Sequence, residues 1–226
     1  MDVQIVYSPA PGPASSPVMK NTAITTVGSG TTLNPSVGAS VVTDEIIAIF
    51  CCRTPGTVTP PSNFTLVVSD GVAGFCGQVF VYKWDGTGTR PNSSTIAFSW
   101  TSSDAAQCRT LVISGANGTG NTAALGIGTT STTGFDVGPI TAAANSLVIS
   151  AYNVSNARDI TFNAPSGLPT SDTLPDTKSF WNDDFQADDR ADIVAFEAGA
   201  GGSITMDTTM SGVAYCNAVL FEVLAA

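Results

Sequence analysis

The most apolar run of this chain, Asp44–Arg53 (Asp-Glu-Ile-Ile-Ala-Ile-Phe-Cys-Cys-Arg), has a second version at Asn145–Val154 (Asn-Ser-Leu-Val-Ile-Ser-Ala-Tyr-Asn-Val). Each opens on a polar pair and continues through β-branched, aromatic and small apolar residues, with few helix formers. A short run too apolar to alternate is the pattern of a strand buried on both faces, or nearly so. The rest of the chain is arranged around these two strands.

Their surroundings repeat as well. Thr31-Thr32 and Asp44-Glu45 fall on Thr132-Thr133 and Asn145-Ser146 at an offset of 101, and Ile46-Ile47-Ala48 falls on Leu147-Val148-Ile149 at the same offset. Pro61–Phe64 falls on Pro165–Leu168 at 104, and Tyr82-Lys83 on Phe196-Glu197 at 114. Thr95–Phe98 falls on Ser203–Met206 at 108, as does Cys108 with Leu111–Ile113 on Cys216 with Val219–Phe221. The offset drifts only where loops change length, and the order of segments holds. Six matches in register imply an internal duplication, with halves of about 31–115 and 132–224.

No window shows helical periodicity beyond two turns, and Ala105-Ala106 and Ala142–Ala144 are too short to nucleate a helix. Strands are expected instead at Val3–Tyr7, Thr22–Val27, Thr31–Val42, Glu45–Arg53, Phe64–Ser69, Phe75–Trp84, Thr95–Trp100 and Gln107–Ser114. Gly28-Ser29-Gly30 reads as a turn, and Gly115–Gly134 as a linker or surface loop with a strand at Ala123–Ile127. The expected fold is all-β: an antiparallel two-sheet sandwich of jelly-roll type over residues 21–226, its two related halves hiding each other's apolar faces. Residues 1–20 read as a short extended N-terminal arm, because Ser8–Pro17 holds four prolines. Within it Val3, Ile5 and Tyr7 alternate as an anchoring strand would, pairing with a neighbour's sheet edge; a first strand folded back on the same body is the other reading.

Composition narrows the function. Eighteen acidic against eight basic residues leave a net charge of -10, which disfavours nucleic acid as a partner. There is no histidine, hence neither the usual neutral-pH base nor the commonest metal ligand. No Gly-x-Ser-x-Gly elbow occurs, so no catalytic residue is assigned and no enzyme or cofactor is expected. Five cysteines without a Cys-x-x-Cys pair read as buried apolar residues of a protein folded in a reducing cytoplasm. No apolar run approaches the ~20 residues that a spanning helix needs, and no membrane role is expected.

One stretch concentrates charge. Asp176, Asp183, Asp184, Asp188, Asp189 and Asp192 lie close together, with Phe180, Trp181 and Phe185 among them. Clustered carboxylates suit Ca²⁺, but the spacing does not fit an EF-hand, and a solvated loop offset by Lys178 and Arg190 is the plainer reading, so no metal ligand is assigned. Trp181, Asp183, Asp184 and Phe185 form a candidate ligand loop, in which the aromatics either stack on a glycan or tether the loop to its own body.

The order of Asp44–Ile49, Thr59–Leu66, Val81–Trp84, Thr95–Phe98 and Thr110–Gly115, with the weaker second half, resembles a β-sandwich module of tailed-bacteriophage virion proteins. Similar modules occur in head decoration (cement) proteins, head fibres and tail accessory proteins. The resemblance covers residues ~31–224 and implies a non-catalytic virion protein, assembled in the host cytoplasm, that binds the major capsid protein or other virion subunits and self-associates. A tail- or fibre-associated receptor- or glycan-binding module is the alternative it implies.

Overall fold

The computed structural model describes residues 16–71, 77–125, 132–155, 160–162, 182–186 and 189–226. The described residues hold strands, turns and irregular connections, with no helix among them. In the first half these are β1 (Val18–Leu33), β2 (Ser36–Val37), β3 (Glu45–Cys52), β4 (Val58–Thr59), β5 (Phe64–Asp70), β6 (Gln78–Trp84), β7 (Ser94–Thr95) and β8 (Phe98–Ser114). The second half follows with β9 (Ala116–Ala124), β10 (Thr132–Ala142), β11 (Leu147–Ser155), β12 (Ile160–Phe162), β13 (Asn182–Gln186), β14 (Asp189–Glu197), β15 (Gly202–Ala214) and β16 (Cys216–Ala225).

The two doubly buried strands lie at the centre of the two large sheets. In the first sheet the order is β1-β8-β3-β6-β5, and in the second it is β13-β14-β11-β16-β9. Every residue of β11 is buried, as is every residue of β3 but its first. Alternation explains how one strand serves two cores. Ile47, Ile49 and Cys51 of β3 meet Leu147, Ile149 and Ala151 of β11 in an apolar layer shared by the two sheets. The opposite face of β3, with Ile46, Ala48 and Phe50, packs on Leu33, Val37, Ile96, Phe98 and Trp100. The opposite face of β11, with Val148, Tyr152 and Val154, packs on the three-stranded sheet β10-β15-β12 through Val137, Ile204 and Met206.

The molecule is therefore a stack of four layers rather than the two expected. Each large sheet carries a small layer of its own on its outer face, and the sheets share the apolar layer between them. The edges stack too: β1 lies by β13, and β5 by β9. In the first half the outer layer comes from bent strands. β1 and β8 run antiparallel through the large sheet and leave it together, with Leu33 opposite Phe98. Gly28–Gly30 is the bulge at that bend, not the expected turn: pairing resumes at Gly30 opposite Asp104 and Thr32 opposite Ser99, so the chain never reverses. Likewise Thr95–Trp100 and Gln107–Ser114 do not end up as two strands. Neither Gly nor Pro separates Phe98 from Ser114, and β8 runs through.

Two further boundaries move. Lys20, placed at the end of the arm, already belongs to β1, while Val3, Ile5 and Tyr7 lie outside the described residues. The strand expected at Ala123–Ile127 is centred earlier, as β9, and pairs with β16 at the edge of the second large sheet.

Candidate functional site

The candidate ligand loop is only partly within the described residues. Trp181 lies outside them, whereas Asp183, Asp184 and Phe185 belong to β13, where Asp183 stands opposite Ala191 and Asp184 opposite Arg190. Part of the expected loop is thus a strand paired antiparallel with β14. Among the described residues no group of three or more potential metal ligands comes together.

The most organised charged cluster is one that sequence reasoning passed over. A cleft of about 460 Å³ opens at one end of the first sheet, with Asp44, Glu45, Lys83, Trp84 and Arg90 in its wall. Arg90 holds the turn leading into β3: its Nε donates to Ser40 Oγ at 3.2 Å, Nη1 donates to the Val42 carbonyl at 3.3 Å, and Nη2 donates to the Asp44 carbonyl. Its guanidinium lies 4.6 Å from the centre of the Trp84 ring, a cation–π contact. The buried Asp44 carboxylate accepts from Lys20 Nζ at 2.9 Å and from the Val41 amide at 2.8 Å. Burial alone would raise its pKa. The Val41 amide, the Lys20 ammonium and the Arg90 charge outweigh that and hold it below the ordinary carboxylate value. Lys83 faces Glu45 at 3.4 Å. Each of these cations has a carboxylate or carbonyl partner, so the cluster works as a clamp tying β1, the Val41–Asp44 turn and β6 together.

A second polar set lies inside the stack. Asp70 accepts the Ala218 amide at 2.9 Å, joining the edge of the first sheet to β16 of the second. Asn217 donates through Nδ2 to the Gly77 carbonyl at 2.7 Å, and Asn217 stands opposite Asn153 across the β11·β16 pair. A side chain at Gly77 would run into the Asn153 amide, since a Cβ there would sit 2.0 Å from its Nδ2. The fully buried Asn153 amide finds no hydrogen-bond partner among the described residues. These groups fix the register of one sheet on the other, because a slip would strand buried polar atoms. Glu222 does the same within the second half: its buried carboxylate accepts the Ala143 amide at 2.5 Å and the Asn121 amide at 3.0 Å.

On the outer face of the three-stranded sheet Asp136 stands directly opposite Asp207. Partial burial, a hydrogen bond to Asp207 and the charge of Asp207 push the Asp136 pKa up. The described cysteines, Cys51, Cys52, Cys108 and Cys216, are all buried and carry no disulfide. Burial, with some repulsion from Cys52, pushes the Cys51 thiol up to about 12, so it is no nucleophile near neutral pH.

The sheet edges complete the inventory. Register shifts interrupt β1, β5, β9, β10 and β13. The pairs made by the central strands β3 and β11 have none. Bulges confined to edges discourage unplanned edge-to-edge pairing.

Fold and site together define a class: an all-β protein of stacked antiparallel sheets, with polar clamps at the ends of its apolar layers. Beyond that class no known protein family, no curated protein and no solved structure matches this chain.

Proposed function

We propose that this is a structural protein of a tailed-bacteriophage virion, a decoration (cement) protein that binds the assembled head by burying surface, without catalysis. The observation that carries the proposal is the strand order of the halves. Counted from one to eight, the second half's large sheet runs first, eighth, third, sixth, fifth, and its small sheet runs second, seventh, fourth. The first half has the same order if the ends of β1 and β8 that leave the large sheet count as its second and seventh strands, joined by β2, β7 and β4. This is the order of a jelly roll whose fifth strand has moved to the sheet of the sixth. Jelly rolls recur in viral capsid and lectin domains. That is an analogy of fold, and the role must come from the surface.

The same order supports descent from one duplicated jelly roll, the two copies back to back. Side-chain facing refines the alignment. At an offset of 108, Ile96 and Ile204 both lie in the core between their own small layer and its large sheet, while Ile113 and Phe221 both face the shared layer. The offset of 101 fails this test, because Ile47 faces the shared layer and Val148 does not. Because a strand's period is two, a shift of one residue exchanges the faces, and an offset of 102 pairs Ile47 with Ile149 and Phe50 with Tyr152, each facing alike.

Many weak contacts on a symmetric lattice give firm attachment by avidity. The partner under this reading is the major capsid protein. The alternative, a tail- or fibre-associated receptor- or glycan-binding module, draws on the lectin use of the same fold and on Trp181, Asp183, Asp184 and Phe185. Quantitative mass spectrometry of purified particles tests both. Hundreds of copies per particle support decoration of the head, a handful support the tail, and absence from particles overturns the virion reading.

A further inference from the structure

We infer that β1 of one copy accepts the segment Val3–Tyr7 of a second copy as an added strand, so that the protein self-associates by arm exchange. The inference rests on reading residues 1–20 as an arm and does not need the virion role.

The acceptor is singled out by measurement of the edges. β1 is the outermost strand of its sheet, and among the described residues nothing pairs with its outer side. Between its two bulges the register runs unbroken from Asn21 to Val27, seven residues. The longest unbroken run on β10 is four residues, and those on β5, β9, β12 and β13 are three. A strand of five residues fits the first and overruns the others. Asn21–Val27 (Asn-Thr-Ala-Ile-Thr-Thr-Val) is also uncharged, whereas β5, β10 and β13 carry Asp70, Asp136, and Asp183 with Asp184. Thr22 and Thr26 are exposed along it, and Ile24 keeps 39% of its surface in solvent. Edge strands are normally blunted by charge or bulges, and this stretch is blunted by neither.

The donor follows from chemistry and reach. Val3–Tyr7 (Val-Gln-Ile-Val-Tyr) is uncharged and β-prone, with apolar residues at alternate positions for side-chain pockets. It is joined to β1 through Ser8–Pro17, where prolines stand at 9, 11, 13 and 17. A residue before a proline is disfavoured in helical and turn conformations, so the composition of Ser8–Pro17 suits a semi-rigid spacer. At ~3.1 Å per residue a polyproline stretch of that length would span ~30 Å. That reach suits a second copy as the occupant, and an arm paired with its own β1 is the monomeric outcome of the test.

Two variants separate donor from acceptor. Deletion of residues 2–8 leaves only the acceptor, and Thr22→Lys with Ile24→Lys leaves only the donor, both substitutions lying at exposed positions. By sedimentation equilibrium the full chain is expected to be multimeric, each variant alone monomeric, and an equimolar mixture a one-to-one heterodimer. Monomers in the mixture, a monomeric full chain or a deletion variant that still multimerises would each overturn the inference. If the double-lysine variant does not fold, a peptide of residues 1–10 must bind the deletion variant and slow amide exchange at 21–27; failure to do so overturns it equally. Neither result bears on copy number in virus particles, so the virion reading stands or falls separately.

Discussion

Truncating Phe221 to alanine tests the four-layer stack most directly. Phe221 is fully buried in the apolar layer between the large sheets, opposite Ile149 on β11 and Thr122 on β9. Removing a buried phenylalanine side chain costs about 3–5 kcal/mol, the transfer loss plus an unfilled cavity. A chain of 150–250 residues loses roughly 2–4 °C of Tm per kcal/mol, so the melt should fall by roughly 6–20 °C. Because the layer belongs to both halves, the whole molecule should unfold in one step at the lower temperature. Phe50→Ala sits instead in the first half's own core, ringed by Phe98 at 4.9 Å and Trp100 at 5.3 Å. It too should lower a single transition, since the second half cannot keep the shared layer covered once the first has opened. Differential scanning calorimetry with near-ultraviolet circular dichroism reads both. Two separate transitions, of which Phe50→Ala moves only one, would refute the shared layer. So would a Phe221→Ala protein melting within ~2 °C of the parent.

Gly77→Ala should destabilise by about 1–3 kcal/mol in urea titration, through its clash with Asn153, and Asn153→Ala in the same chain should recover part of the loss. Cys51, Cys52, Cys108 and Cys216 should resist iodoacetamide in the native protein at pH 8 and react once denatured, as peptide mass spectrometry would show. Asp44 has a lowered folded pKa, so its stabilisation is present above the ordinary carboxylate value of 3.8 and is lost as pH falls through the folded value. Asp44→Asn should therefore flatten the stability curve below about pH 4. The Asp136 pKa is raised, so its sign is opposite: the folded state is relatively favoured in acid and loses that advantage as pH rises through the raised value. Asp207→Asn should remove this dependence and, by relieving like charges across the strand pair, gain ~0.2–1 kcal/mol at pH 7.

Much of the fold was legible from residue pattern. β3 and β11 were readable as doubly buried strands because eight or nine consecutive positions without an exposed polar face admit no other placement in a sheet protein. The clamp at Arg90 was not readable. Arg90 stands in Asp85–Asn92, which looks like any polar turn, and its partners Ser40, Val42 and Asp44 lie 46 to 50 residues away. Nor did anything in Gly77, Asn153 and Asn217 announce a polar contact between sheets. Of the candidate site residues, Asp183, Asp184 and Phe185 were taken for loop because acidic residues are poor strand formers, yet pairing with β14 holds them in a strand.

What the sequence settled alone is local and periodic: strands instead of helices, which of them are buried twice, and a repeating order of segments. These follow from side chains alternating along an extended chain, a property of neighbours in sequence. Only the tertiary structure decided the number of layers, the bend that turns Gly28–Gly30 into a bulge, and which face each aligned residue presents. Those depend on contacts between residues a hundred positions apart, where a one-residue shift leaves the composition unchanged and reverses every side chain.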